Sequence, residues 1–231
     1  MQRLKSILGI KRIPQIISIS LLLDMVLCLT YVITHLAMSS YFEDTEIWDL
    51  DLESSIASWY STLKFLSIFW VATLFSRNQF SQGQKSLSVI VLPTIFLLMA
   101  IDECFQIHEW IGKHSDVLLP TGNRADTPFQ ETGIWMFLVG IPFLAFFLLW
   151  IYWLRKKLVD HRSSITMLVI GVTVLLTGAL GFEIISNFLE GSLWRAGVAL
   201  EEGCEMVGAT IVLWAVCNMH KQKRPARPAL S

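Results

Sequence analysis

Charge is scarce in this chain. Asp, Glu, Lys and Arg make up only 16% of its 231 residues, 54% are hydrophobic, and the mean hydropathy is +0.56. A soluble domain of this length carries more charge and does not repeat apolar runs of about 20 residues, so that class is excluded. Cysteine is equally uninformative as a framework. Cys28, Cys104, Cys204 and Cys217 are scattered and none forms CxxC. That excludes zinc-ribbon and disulfide scaffolds and leaves small packing residues. P-loop, GxGxxG, GxSxG, HExxH and CxxCH motifs are all missing. Nucleotide, acyl-serine, zincin and covalent haem chemistry therefore have no support.

What the chain does have is six apolar segments, near residues 16–38, 56–75, 87–111, 129–154, 164–188 and 197–219. Each is long enough to cross a hydrocarbon core of about 30 Å at about 1.5 Å per residue. The pattern predicts an all-α, polytopic membrane helix bundle of six transmembrane helices, with residues 1–231 forming one domain. The first segment follows the basic stretch MQRLKSILGIKRIP. It exceeds the roughly 7–15 residues of a signal-peptide core, so it is expected to be a retained helix.

Fourteen of the 18 Lys and Arg fall at the N-terminus, around Arg77 and Lys85, in Arg155–Arg162 and in the C-terminal tail. Lys113, Arg124 and Arg195 fall on the opposite side, where the first loop, YFEDTEIWDLDLESS, has six acids and no Lys or Arg. The positive-inside rule places both termini in the cytoplasm. The expected location is a cell (inner) membrane. Trp48, Trp59, Trp110, Trp135 and Trp194 near one set of boundaries, and Trp70, Trp150, Trp153 and Trp214 near the other, read as interfacial belts. Gly171, Gly178, Gly181, Gly197, Gly203 and Gly208 in the last two segments predict close helix packing.

Carboxylates interrupt this apolar background in three places: AIDECFQIHEW (Asp102, Glu103, His108, Glu109), FEIISNFLE (Glu183, Asn187, Glu190) and LEEGCEMVG (Glu201, Glu202, Glu205). Ionisable groups at membrane depth are costly and mark function by default. Asp102, Gln106 and Glu109 follow i, i+4, i+7. So do Glu183, Asn187 and Glu190, and Glu201 and Glu205 share a stripe with Gly208. With the predicted topology all of them lie in the outer leaflet, together with His35 and Glu131. The expectation is a polar cavity opening to the periplasmic or extracellular face. So many carboxylates cannot all stay ionised together in low dielectric. Lys64 is the expected partner of Asp24, and with Arg195 it offsets only part of the charge.

Three chemistries remain open for the cluster. One is a divalent metal (zinc, iron or manganese) held by Asp102, His108, Glu109, Glu201 and Glu205, with His35 and His114 as alternate imidazoles and Glu183 and Glu202 as catalytic base or support. The second is proton or cation handling without a fixed metal. The third is a structural polar network. The paired Glu-x-x-His of ferritin-like di-metal sites is absent.

The pair of segments DE-x4-HE (Asp102, Glu103, His108, Glu109) and EE-x2-E (Glu201, Glu202, Glu205) resembles bacterial multi-pass membrane proteins of unassigned activity. That resemblance implies a membrane bundle and the location of the site, and no reaction. Membrane-embedded CAAX-type proteases do not fit, because Glu201-Glu202 lacks the following Arg and later membrane histidines. Ceramidase-like hydrolases need more histidines than the five present. The functions to weigh are a metal-dependent membrane enzyme acting on a lipid or hydrophobic small molecule, a proton- or cation-coupled transporter or channel, and a structural subunit. Expected partners are membrane lipid and that substrate, with a homo-oligomer compatible. Nucleic acid is not expected.

Overall fold

In the computed structural model, residues 13–37, 46–52, 55–83, 86–119, 122–130 and 132–222 are described. All regular structure among them is helical. Helix α1 runs Gln15–Tyr31 and continues as a π-helical stretch over Val32–Ala37. Helix α2 spans Ile56–Ser81, α3 Leu87–Phe105 and α4 Ile107–Ser115. Helix α5 begins with a π-helical turn, Met136–Gly140, and runs on through Ile141–Lys157. Helix α6 is Arg162–Leu176, a π-helical segment Thr177–Phe182 and a last turn Glu183–Ser186. Helix α7, Gly191–Lys221, closes the fold.

Helices α1, α3, α5 and α6 are long and apolar enough to cross a membrane. Helices α2 and α7, at 26 and 31 residues, have the length but are more polar. The outside of the bundle is apolar: Ile16, Ile19, Leu22 and Met25 of α1 are 57–62% exposed. Such faces belong against lipid rather than water.

Two expected helices are interrupted. The segment predicted as one helix over 87–111 breaks at Gln106, which adopts the left-handed conformation (φ 55°, ψ 41°). Helix α4 then starts in a new direction. The segment predicted over 164–188 is underwound into a π-helix at 177–182 and ends at Ser186. Broken backbone at membrane depth is tolerated where it is buried in protein or lines a cavity, and π-turns recur at functional sites.

Helix α7 packs against α1, α2 and α6, while α2 pairs with α3. The α6–α7 contact depends on glycine. A Cβ on Gly208 would lie 2.5 Å from Leu175 N and 2.7 Å from Gly171 O, and one on Gly178 would lie 2.5 Å from Glu201 O. The backbones touch, as small residues permit in membrane bundles. The apolar core, with Ile68, Phe96, Leu154, Leu168 and Val212 essentially inaccessible, fills the end of the bundle away from α4.

One buried polar network crosses this interior. Lys64 Nζ donates to Asp24 Oδ1 at 2.6 Å and to Met206 O at 2.9 Å. Tyr60 Oη donates to Asp24 Oδ1 and Thr210 Oγ1 to Asp24 Oδ2. The carboxylate, fully buried, thus accepts from three side chains on two helices.

Candidate functional site

Asp102 ends α3 one turn before the break, and its carboxylate bridges it. Oδ1 accepts the backbone N–H of His108 at 2.9 Å and Oδ2 lies 3.0 Å from His108 Nδ1. One acid therefore satisfies an otherwise orphaned donor at the start of α4 and fixes the imidazole. The same break takes Glu109 off the Asp102 stripe, correcting the expectation of a continuous i, i+4, i+7 face. Glu109 instead pairs with Lys113 at 2.7 Å, one turn along α4.

Glu183 sits at the end of α6, just after the π-helical segment. Its Oε1 accepts from Trp135 Nε1 at 3.3 Å, and its carboxyl is within interaction range of that of Glu201 on α7. Glu202 and Glu205 lie within electrostatic range of Glu201. Asn187, in the turn after α6, donates to Glu183 O at 2.9 Å and to Thr132 Oγ1 at 3.1 Å, tying α6 to the start of α5.

These groups share one cavity of about 600 Å³. Asp102, Glu103, His108 and Glu109 line it from α3 and α4, Glu183 from α6, and Glu201, Glu202 and Glu205 from α7. All seven residues singled out as ligands or catalytic groups therefore reach the same space. Its deeper wall is apolar: Phe65, Leu98, Met99, Phe143, Leu175 and Leu176. Beyond that wall Phe96, Phe147 and Val172 pack around an apolar void of about 10 Å³. The volume is within the roughly 300–1,000 Å³ typical of small-molecule sites.

Other residues of the expected set are arranged differently. Among the described residues no three His, Cys, Asp or Glu come together closely enough to hold a metal, so the set Asp102, His108, Glu109, Glu201 and Glu205 is not a preassembled ligand cage. Neither alternate imidazole lines the cavity. His35 faces Asp49 at 3.5 Å and stacks on Tyr31, and His114 stacks on Trp110. Glu190 is the exposed residue preceding α7 rather than the third member of the Glu183 stripe. Arg195 does not offset the cluster; its guanidinium donates to His35 O at 2.6 Å. Glu131 lies outside the described residues, as does most of the first acidic loop.

The sequence reading missed Asp51, Ser58, Arg124 and the aromatic lining. Arg124 lines the cavity while bound to Asp116 at 2.8 Å. Trp135, read as an interfacial anchor, is 9% exposed and faces both Glu183 and His108. Nothing in its local sequence separates it from the other tryptophans, because its role comes from the loop that returns α5 against α4.

No curated protein and no solved structure matches the chain. A family model, described as a domain of unknown function (DUF8692), matches residues 14–220, and the chain belongs to that family.

Proposed function

We propose that this chain is an integral membrane protein of six spans with cytoplasmic termini, and that its cavity opens at the extracytoplasmic surface to take a hydrophobic or lipid-derived small molecule. The apolar tail of the ligand lies against Phe65, Leu98 and Leu176, and its polar end meets the carboxylates. The observation that carries the reading is the two-part lining of one cavity: acids and an imidazole from four helices at the mouth, aliphatic and aromatic side chains within. Packed apolar side chains at the inner end favour a binding or reaction site over a conducting path. Carboxyls that line one cavity and an oriented imidazole are the groups that acid–base chemistry on a bound substrate uses.

The test is native mass spectrometry of protein extracted with its surrounding lipid. The expected result is a retained or exchangeable amphiphile on wild type that is lost when Leu176→Trp fills the inner wall. A protein that neither retains nor takes up any amphiphile would overturn the reading.

A second reading keeps the divalent metal and makes the chain a metal-dependent membrane enzyme. It is favoured by the Asp102–His108 pair, since a carboxylate on one ring nitrogen of histidine is the usual support for a metal on the other. Glu183, Glu201 or Glu205 would complete that set only after side-chain closure. Elemental analysis of chelator-free wild type reading about one equivalent of zinc, iron or manganese, and falling in His108→Ala, would support it. Metal well below stoichiometry in both would remove it.

A further inference from the structure

Helix α4 is amphipathic in the sense opposite to that of a surface helix in water. Ile107, Trp110, His114, Val117 and Leu118 follow i, i+3, i+7, i+10 and i+11 along α4 and the short helical turn Asp116–Leu118 that extends it, and all five are exposed. Trp110, Val117 and Leu118 are 59%, 79% and 64% exposed. The opposite face carries polar groups and turns them toward the protein. His108 meets Asp102, Ser115 is buried, and Asp116 binds Arg124. Gly112, on that face, is packed so that a Cβ would come 3.4 Å from Trp135 Cδ1 and from Thr132 O. A helix on a soluble protein buries its apolar stripe and exposes its polar one. The outward apolar face also continues a lipid-facing surface. On α3, which is long and apolar enough to cross a membrane, Leu87, Ile90, Leu98 and Phe105 share one stripe and are 45–74% exposed. Phe105 and Ile107 are separated only by the left-handed Gln106. Lys113, its side chain 67% exposed and paired with Glu109, borders the apolar face. A long cation at such an edge carries its charge to the headgroups, and tryptophan is at home at the same depth.

We propose that α4 lies in the leaflet at the carboxylate end of the bundle, its Ile107, Trp110, Val117 and Leu118 seated on lipid at the boundary between headgroups and acyl chains. The partner of this face is the phospholipid bilayer. The left-handed turn at Gln106 lets the chain leave the direction of α3 and run along that boundary. A protein on the same face would have to displace lipid from the α3 stripe as well, because the two form one surface. Ile111 and Gly112 of α4 line the cavity beside His108 and Glu109, so the helix is a partition with the cavity on one side and lipid on the other. The inference needs the chain to span a membrane and does not depend on what the cavity binds.

Fluorescence quenching in phosphatidylcholine nanodiscs tests it on the full-length protein with Cys28, Cys104, Cys204 and Cys217 replaced. Trp110→Cys, His114→Cys and Val117→Cys each carry a fluorophore on the introduced thiol. Leu22→Cys, at an exposed position of α1, is the lipid standard, and Ala125→Cys, in an exposed turn, is the water standard. Each is quenched in turn by a nitroxide on the upper acyl chain of the lipid and by cobalt ion in the buffer. At Trp110, His114 and Val117 the lipid-borne quencher is expected to act at least about twofold more strongly than cobalt, with the reverse at Ala125. His114→Cys removes no apolar side chain, which keeps the test open if the other two do not fold. Stronger quenching by cobalt at the α4 positions, beside lipid quenching at Leu22, overturns the placement of α4 and leaves the membrane bundle standing. Protection from both quenchers overturns it likewise and puts a protein on the face. Cobalt quenching at Leu22 overturns the membrane-spanning reading and this inference with it.

Discussion

Lys64 and Asp24 form a 2.6 Å ion pair from which water is excluded, the ammonium side chain 2% and the carboxylate side chain 0% exposed. The pair joins α1 to α2, and the second bond from Lys64, to Met206 O, adds α7. Breaking a buried pair on one side leaves an uncompensated charge and costs about 3–5 kcal/mol, whereas removing both charges costs far less. Lys64→Met and Asp24→Asn should each lower the thermal midpoint sharply in detergent. Asp24→Asn/Lys64→Met should recover a large part of the loss. A double variant as unstable as the sum of the singles would mean that the two residues act independently.

The α6–α7 seam makes a second prediction about stability. Gly171 and Gly208 face each other at backbone contact, with a Cβ at either placed 2.5–2.9 Å from main-chain atoms of the other helix. Gly208→Ala should destabilise by about 1–3 kcal/mol through forced separation of the helices. Gly181→Ala is the control. Its Cβ would meet only Thr177 Cγ2, at 3.7 Å, so it should be neutral or slightly stabilising. The comparison of midpoints isolates packing from helix propensity, since both changes replace a helical glycine by alanine.

The helices and the place of the polar groups were legible in the sequence because both depend on one-dimensional signals: the length of apolar runs and the rarity of acids within them. The Asp24–Lys64 pair was legible for the same reason, as two charges with few other options in an apolar interior. The geometry of the site was not. A stripe drawn through Asp102, Gln106 and Glu109 assumes an unbroken helix, and no glycine or proline at 103–108 announces the left-handed turn at Gln106. The π-helical segment before Glu183 holds Gly178 and Gly181, but glycine there reads as close helix packing and does not announce an underwound turn. Both irregularities are tertiary: they exist where the backbone borders a cavity, which no local pattern encodes.

Asp102 has a structural role separable from any chemistry. It accepts the His108 amide and its imidazole across the break between α3 and α4. Asp102→Ala removes that cap, at a cost of about 0.5–2 kcal/mol. The loss should be local. Hydrogen–deuterium exchange is expected to rise over 107–112 and to stay unchanged in α2 and in the first turns of α3. Asp102→Asn keeps an oxygen able to accept the amide and should show most of the wild-type protection. Uniform loss of protection across the bundle in Asp102→Ala would mean that the residue supports the whole fold rather than the start of α4.

The proposed topology predicts which side of the membrane each loop faces, and therefore where the cavity mouth opens. Ala125, in the exposed turn between α4 and α5, lies at the end of the bundle that carries the carboxylates, and Gln82, exposed at the end of α2, lies at the other. Single cysteines at the two positions, in a background with Cys28, Cys104, Cys204 and Cys217 replaced, report accessibility to a membrane-impermeant maleimide. In intact cells with a permeable outer envelope, Ala125→Cys should label and Gln82→Cys should not. After lysis both should label. Positive charge placed beside Ala125 should reduce insertion in that sense, because basic residues resist translocation. Labelling of Gln82→Cys but not Ala125→Cys in intact cells would turn the bundle over, put the carboxylate mouth in the cytoplasm, and require a ligand supplied from inside the cell.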